Sequence, residues 1–272
     1  MNKSNLLLKI VAAVAFAAMI AVNFLANALP IGGVTTGEAS DAYANLFTPA
    51  GIIFAIWGLI YGLLFVYIIY QFDIGQTGIN PQREKLFATI NGYFLITSVA
   101  NIAWIFSWHY GIIWLSVLIM LTLLVFLIKI ADVVRSQMFS LTETLAIRAP
   151  FSIYFGWITV ATIANITVLL VSLGWNAFGI TEAMWTVVIL LVGAGIGILR
   201  MWKDQNIFYG TVLVWAYSGI WLKHTSASGF NGAYPNIITT VIVCIALFLG
   251  MIGYLGYKKT SLNTIFTKMK QL

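Results

Sequence analysis

The sequence predicts an all-α fold, a polytopic transmembrane helix bundle of about eight spans. Three observations carry that prediction. Of 272 residues, 61% are hydrophobic and only 8% charged, where a soluble domain carries about 25% charged residues. Such a chain cannot cover itself with a hydrated surface. Its apolar residues fall into runs near the roughly 20 residues that a helix needs to cross a bilayer core. The alternating pattern of a barrel strand is absent, which leaves helices as the spanning solution. A soluble enzyme, a disordered protein and a nucleic-acid binder are excluded on the same grounds.

The runs are Ile10–Ala28, Ile52–Tyr70, Leu86–Phe106, Ile112–Ile128, Phe151–Leu173, Ala183–Leu199, Ile207–Leu222 and Asn236–Tyr257. None contains Asp, Glu, Lys, Arg or His. The first follows a basic start and ends in Ala26-Asn27-Ala28, which also fits a signal peptide with its cleavage site; it is read as a retained helix. Between the first two runs lies Pro30–Thr48, rich in Gly, Thr, Ser and Ala and carrying Glu38 and Asp41. Its length and position ahead of Trp57 suggest a cover over the core. Thr48-Pro49 reads as an N-cap with proline at the first helical position. Gln71–Lys85 and Lys129–Arg148 are the other long connections.

Orientation follows from the basic residues. With the N-terminus in the cytoplasm, thirteen of the 14 Lys and Arg fall on the inner side, and Lys223 alone falls outside. That bias places both termini in the cytoplasm of a multi-pass cell-membrane protein. It also accounts for the net charge of +6 without an acidic partner.

The residues that carry chemistry are few. One cysteine, Cys244, and two histidines 115 positions apart make no disulfide framework and no metal cluster. Coupled transporters usually carry ionisable groups inside the membrane, so spans without them argue against ion-coupled transport. No acid–base constellation for catalysis is visible. What the spans offer is aromatic and amide stripes at helical spacing. Asn101, Trp104 and Trp108 share one face of the third span; Trp157, Ala161 and Asn165 share a face of the fifth; Trp57 and Tyr61 form an i, i+4 pair in the second. These stripes either converge on an apolar aromatic pocket or pack helices, with Asn101 and Asn165 bonding across the interface. His109, among Trp108, Tyr110 and Trp114, reads as part of an interfacial aromatic belt. His224 has no evident partner. Gly58/Gly62 and Gly193/Gly197 fit close helix contacts, within the bundle or in a homodimer. Gly193–Gly197 (GAGIG) lies mid-span with no strand before it, so a dinucleotide loop is rejected.

Together these motifs resemble a known family. Phe47-Thr48-Pro49-Ala50-Gly51 through Trp57 and Tyr61, Asn101-Ile102-Ala103-Trp104, and the stretch from Trp157 to Asn165 with its W-x-x-x-A-T-x-x-N pattern are similar to the TspO/MBR family. These are the tryptophan-rich sensory proteins, relatives of the mitochondrial translocator protein. The resemblance implies a five-helix core over residues 1–173, with three additional helices and a basic tail over 174–272. It implies binding of a porphyrin, haem-like tetrapyrrole or sterol-like lipid, with no cofactor required. The ligand-binding residues it implies are Trp57, Tyr61, Asn101, Trp104, Trp157, Ala161, Thr162 and Asn165. Where the family carries a Trp and Gly-Pro ahead of Trp57, this chain reads Gly51-Ile52-Ile53-Phe54-Ala55-Ile56. Val212–Ile220 (VLVWAYSGI) resembles a longer bacterial branch. Binding or sensing of a planar apolar molecule is the leading expectation, an uncoupled transporter the second, and a tetrapyrrole- or lipid-modifying enzyme the third.

Overall fold

A computed structural model describes residues 3–29, 31–72 and 80–269, with side chains as far as 258. Pro30, residues 73–79, Lys270 and the side chains of Lys259 and Lys268 therefore lie outside the described residues. The fold is all-α, and the described residues contain no strand.

The helices are α1 (Lys3–Ala28), α2 (Thr36–Asp41), α3 (Ile56–Tyr70), α4 (Pro81–His109), α5 (Ile113–Arg135), α6 (Leu141–Glu143), α7 (Ala149–Ser172), α8 (Glu182–Asp204), α9 (Ile207–Thr225) and α10 (Pro235–Met269). Among the described residues, seven helical stretches are long and apolar enough to cross a membrane. The eighth predicted span, α9, is a 19-residue helix in which Tyr, Trp, Gly, Ser, Lys and His dilute the apolar residues. Its burial makes up the difference: it packs on α7, α8 and α10. Helix α4 lies between α1 and α5, and α5 leads to α7; α7 also receives α3 and α9. One cluster of buried apolar side chains runs through the whole bundle, from Phe16 of α1 to Phe248 of α10.

Local sequence sets the helix starts. Asn80 accepts from Gln82 N (3.0 Å) and Arg83 N (3.2 Å) ahead of Pro81 at the first helical position. Ser140 and Glu143 form a capping box before α6. Pro150, with no N–H to give, sits just after a π-turn at Thr144–Arg148, where the regular ladder must be interrupted.

Two sequence expectations are corrected. Thr48-Pro49 does not cap a helix. Asn45 Oδ1 accepts from Phe47 N, Thr48 N and Thr48 Oγ1, folding a side-chain-stapled turn. A 3₁₀ turn at Gly51–Ala55 follows, and α3 begins only at Ile56. The helices are also not free of charge. Because α1 begins at Lys3, Lys9 lies inside it, buried and paired with Glu84 of α4 at 2.6 Å. At the same end of the bundle Arg200 bridges Asp132 (2.9 Å) and Asp204 (2.6 Å). At the opposite end Lys223 meets Asp41 at 3.4 Å.

The small-residue pairs separate. Gly193 and Gly197 face the bundle, where a methyl on Gly193 would stand 2.7 Å from the Tyr217 hydroxyl. Around Gly58 and Gly62 there is open space.

Candidate functional site

Two cavities meet at one wall. The larger, about 640 Å³, lies between α1 and α3 beneath α2, lined by Ile20, Asn23, Phe24, Asn27, Ala28, Thr36, Gly37, Phe54, Trp57 and Tyr61. It exists because α1 packs along α4 and only lightly on α3. The smaller, about 40 Å³, is enclosed by Phe54, Trp57, Trp104, Trp108, Met120, Trp157, Val160, Ala161, Ala164, Asn165 and Val168, with Ser40, Thr48 and Pro49 at its mouth. Phe54 and Trp57 line both. Their rings hold the partition edge-on to Trp157, at 5.7 and 6.2 Å between centroids, while Trp57 stacks on Tyr61 at 5.5 Å.

Five of the eight predicted site residues, Trp57, Trp104, Trp157, Ala161 and Asn165, are thus brought around the small cavity. Tyr61 faces the large one. Asn101 and Thr162 line neither. Thr162 spends its hydroxyl on Ile158 O of its own helix, at 2.6 Å. Asn101 is a junction: its Oδ1 accepts from Asn23 of α1 (2.6 Å) and its Nδ2 donates to Tyr154 of α7 (3.3 Å). Asn165 is a second junction, accepting from Trp104 Nε1 and donating to Ser116 Oγ, both at 2.9 Å. Both amides therefore pack helices, and Asn165 also borders a cavity.

Size decides what each cavity can hold. A space of about 40 Å³ takes roughly one water; a planar ring system enters it only if the Phe54–Trp57 wall moves. The larger cavity falls in the roughly 300–1,000 Å³ range of small-molecule sites. Each is lined by a residue that carries a buried polar atom without a hydrogen-bond partner among the described residues: Tyr61, through its hydroxyl, at the large one and Trp157, through Nε1, at the small one. A buried donor left unmatched costs about 1–3 kcal/mol.

Residues to which the sequence assigns other roles, or none, hold the cover in place. In α2 the Thr35–Glu38 capping box sets the turn, and hydrogen bonds from the Thr35 backbone and hydroxyl hold the Glu38 carboxyl below its usual range. Trp108 Nε1 donates to Thr36 O (3.2 Å), and His109 Nε2 meets Thr36 Oγ1 at 3.4 Å. His109 is buried under α2 rather than sitting in an exposed belt. From the other side α9 grips residues 41–53. His224 Nε2 lies 2.9 Å from Leu46 O, Ala50 N donates to Gly219 O (3.1 Å), and Trp215 Nε1 donates to Ile53 O (3.0 Å). No local pattern announces the α9 contacts, because their partners are more than 160 residues apart.

An all-helical bundle of helices long and apolar enough to cross a membrane, with an aromatic-walled cleft at one end, defines a polytopic membrane protein. The chain belongs to the TSPO-like protein family, whose model matches residues 9–254. That match continues through α8 and α9 and most of α10. Neither a curated protein nor a solved structure matches the chain.

The clamp has a pH consequence. His224 lies past the apolar stretch of α9, fully enclosed, with Phe230 at 4.7 Å and Tyr234 at 5.7 Å. Burial lowers its pKa, and Lys223 lowers it further, against the Leu46 carbonyl, which raises it. Asp41 is the acidic group nearby, and it is paired with Lys223. A histidine with a lowered folded pKa stabilises the fold above its unfolded value of about 6.5, and that contribution is lost as pH falls below it. Thermal unfolding between pH 8 and 5 should show a falling midpoint that His224→Gln flattens. An equal slope in the variant would remove His224 from the clamp's response.

Proposed function

We propose that the chain binds a planar apolar small molecule, a tetrapyrrole or sterol-like lipid, in the cleft between α1 and α3. The observation that carries this reading is a 640 Å³ cleft walled by Trp57 and Tyr61, the latter with a buried hydroxyl that has no partner among the described residues. An apolar guest with one polar edge complements both features. Trp104, Trp157, Ala161 and Asn165 then form an inner chamber, entered when the partition swings. The protein is read as a cell-membrane sensor or carrier of this guest, with both termini cytoplasmic by the thirteen-to-one Lys and Arg bias. Passage through the membrane is the second reading, favoured by the wall that the two cavities share. A homodimer would use the open Gly58/Gly62 face of α3, since Gly193/Gly197 is occupied internally.

The test is tryptophan quenching by protoporphyrin in detergent, with thermal stability followed in parallel. Ile20→Phe fills part of the cleft without changing its polarity and should weaken binding about tenfold. Tyr61→Phe removes one hydrogen bond, worth about 1 kcal/mol, and should cost roughly fivefold. Parent-like quenching by a folded Ile20→Phe protein would place the ligand elsewhere.

A further inference from the structure

The turn between α7 and α8 lies at the same end as α2. Its backbone is one that L-residues avoid: Ala177 and Phe178 stand at φ 52 and 56, between Gly174 at 63 and Gly179 at 79. Left-handed non-glycine residues cost on the order of 1–2 kcal/mol each. Such strain persists where surrounding structure enforces it, often beside a ligand site. Here the turn is tied by Asn176, whose Oδ1 accepts from Phe178 N at 3.2 Å and whose carbonyl accepts from Gly179 N at 2.9 Å. What it positions is a ring. Trp175 stands 4.9 Å from Trp185 of α8 at an interplanar angle of 70°, with Phe178 edge-on at 5.3 Å.

Beside this corner of indoles is a cavity of about 400 Å³, bordered by Trp175, Trp185, Asn45, Asn176, Thr186 and Glu182. The Glu182 carboxylate has no ion-pair partner among the described residues, and no Lys or Arg lines the cavity. An apolar guest has no use for the carboxylate, and an anion is repelled by it. A bare metal ion would need more oxygen ligands than one carboxylate and two amides supply. Two indole faces at a corner with one negative charge suit an alkylated ammonium, which is attracted by the ring quadrupole and keeps a greasy surface.

We propose that this cleft binds an organic ammonium group, supplied either by a zwitterionic lipid headgroup or by a free quaternary amine. The site is separate from the α1–α3 cleft and does not rest on the ligand proposed there. Its floor includes Leu46, whose carbonyl faces His224, so occupancy also stiffens the clamped segment.

The probe is tetramethylammonium, titrated onto the full chain in phosphatidylglycerol nanodiscs and followed by tryptophan fluorescence, with sodium as the control cation. Saturable quenching by tetramethylammonium and none by sodium is expected. Glu182→Gln changes an exposed side chain and should weaken binding several-fold; Trp185→Leu should abolish it. Had Glu182 served only the α8 helix dipole, Glu182→Gln would leave the titration unchanged, and that result overturns the proposal. So does an absence of saturable quenching in folded parent protein. Repeating the titration in phosphatidylcholine nanodiscs separates the sources. A weakened apparent affinity marks the lipid headgroup as occupant, and an unchanged one marks the free amine.

Discussion

Replacing Gly219 with alanine should release the cover and speed exchange at both cavities. Gly219 is where α9 comes closest to the segment ahead of α3. A methyl there would collide with Ile53 Cγ1 and stand 2.7 Å from its Cδ1 and 3.1 Å from its Cβ. The crowded atoms include Ile53 Cβ, which no rotamer change moves, and the stiff χ1 of a β-branched residue limits how far Cγ1 and Cδ1 can turn away. The 3₁₀ turn must move away from α9. That movement lengthens the Ala50–Gly219 and Trp215–Ile53 hydrogen bonds, each about 3 Å at present, and pulls on Leu46 at His224. Overpacking of this kind costs about 1–3 kcal/mol, and a 1.4 kcal/mol loss in the closed state corresponds to about tenfold in opening. Stopped-flow quenching by protoporphyrin should therefore show on- and off-rates raised about tenfold, with a lower thermal midpoint. A lower midpoint with unchanged rates would mean that α9 stabilises the bundle without governing access.

That experiment joins two parts of the chain that look unrelated in sequence. The resemblance of residues 10–173 to a five-helix core invites a reading of α8, α9 and α10 as appendages. Their geometry says otherwise for α9. Besides the clamp, it lies so close to α7 that a methyl on Gly156 would stand 2.9 Å from Val212 Cβ and 3.0 Å from Tyr209 O. Asn206 and Tyr209 also bond Ser152 and Thr159 of α7, at 2.6 and 3.2 Å. The cover over the cavities is held by His109 and Trp108 of α4 on one side and by α9 on the other, so its dynamics belong to the whole bundle.

The stripes were legible because helical periodicity fixes which residues share a face. Trp157, Ala161 and Asn165 had to point the same way, and they do. Periodicity does not say what stands opposite. Asn23, Ser116 and Tyr154, which complete the two amide junctions, sit in no motif. His109 and His224 have aromatic or basic neighbours in sequence, and such surroundings suit an interface as well as a buried bond. Lys9 escapes the pattern for another reason: an apolar run is bounded by its first charge, whereas α1 begins about two turns earlier and carries that charge inward to Glu84. The small-residue rule found Gly193 and Gly197 but missed Gly156 and Gly219, which have no glycine partner at the fourth position. Cavity volume was least legible, since it depends on how far α1 stands from α3 and on the rotamers of Phe54 and Trp57.

The largest stability effect should come from Asn165→Leu, and its interpretation needs a second substitution. Asn165 links α4 to α5 through α7: Trp104 Nε1 donates to its Oδ1, its Nδ2 donates to Ser116 Oγ, and Ser116 donates on to Ile113 O at 2.8 Å. Leucine has nearly the same shape and no polar atoms. Ser116 keeps its bond to Ile113, but the Trp104 N–H is left buried with no acceptor, a cost of about 1–3 kcal/mol. Interhelical hydrogen bonds inside membranes average nearer 0.6 kcal/mol, so a loss at the upper end would mark the orphaned donor rather than the lost bond. Trp104→Phe removes that donor. Applied on top of Asn165→Leu, it should restore part of the stability, because deleting both partners is cheaper than deleting one. The two single losses should then exceed the double loss by at least about 1 kcal/mol in a double-mutant cycle. Strictly additive losses would show that the Trp104–Asn165 bond carries little energy. Protoporphyrin quenching by the same variants separates the two roles of Asn165. If the guest stays in the α1–α3 cleft, affinity is unchanged in the double variant; if it enters the inner chamber, affinity falls whatever the stability.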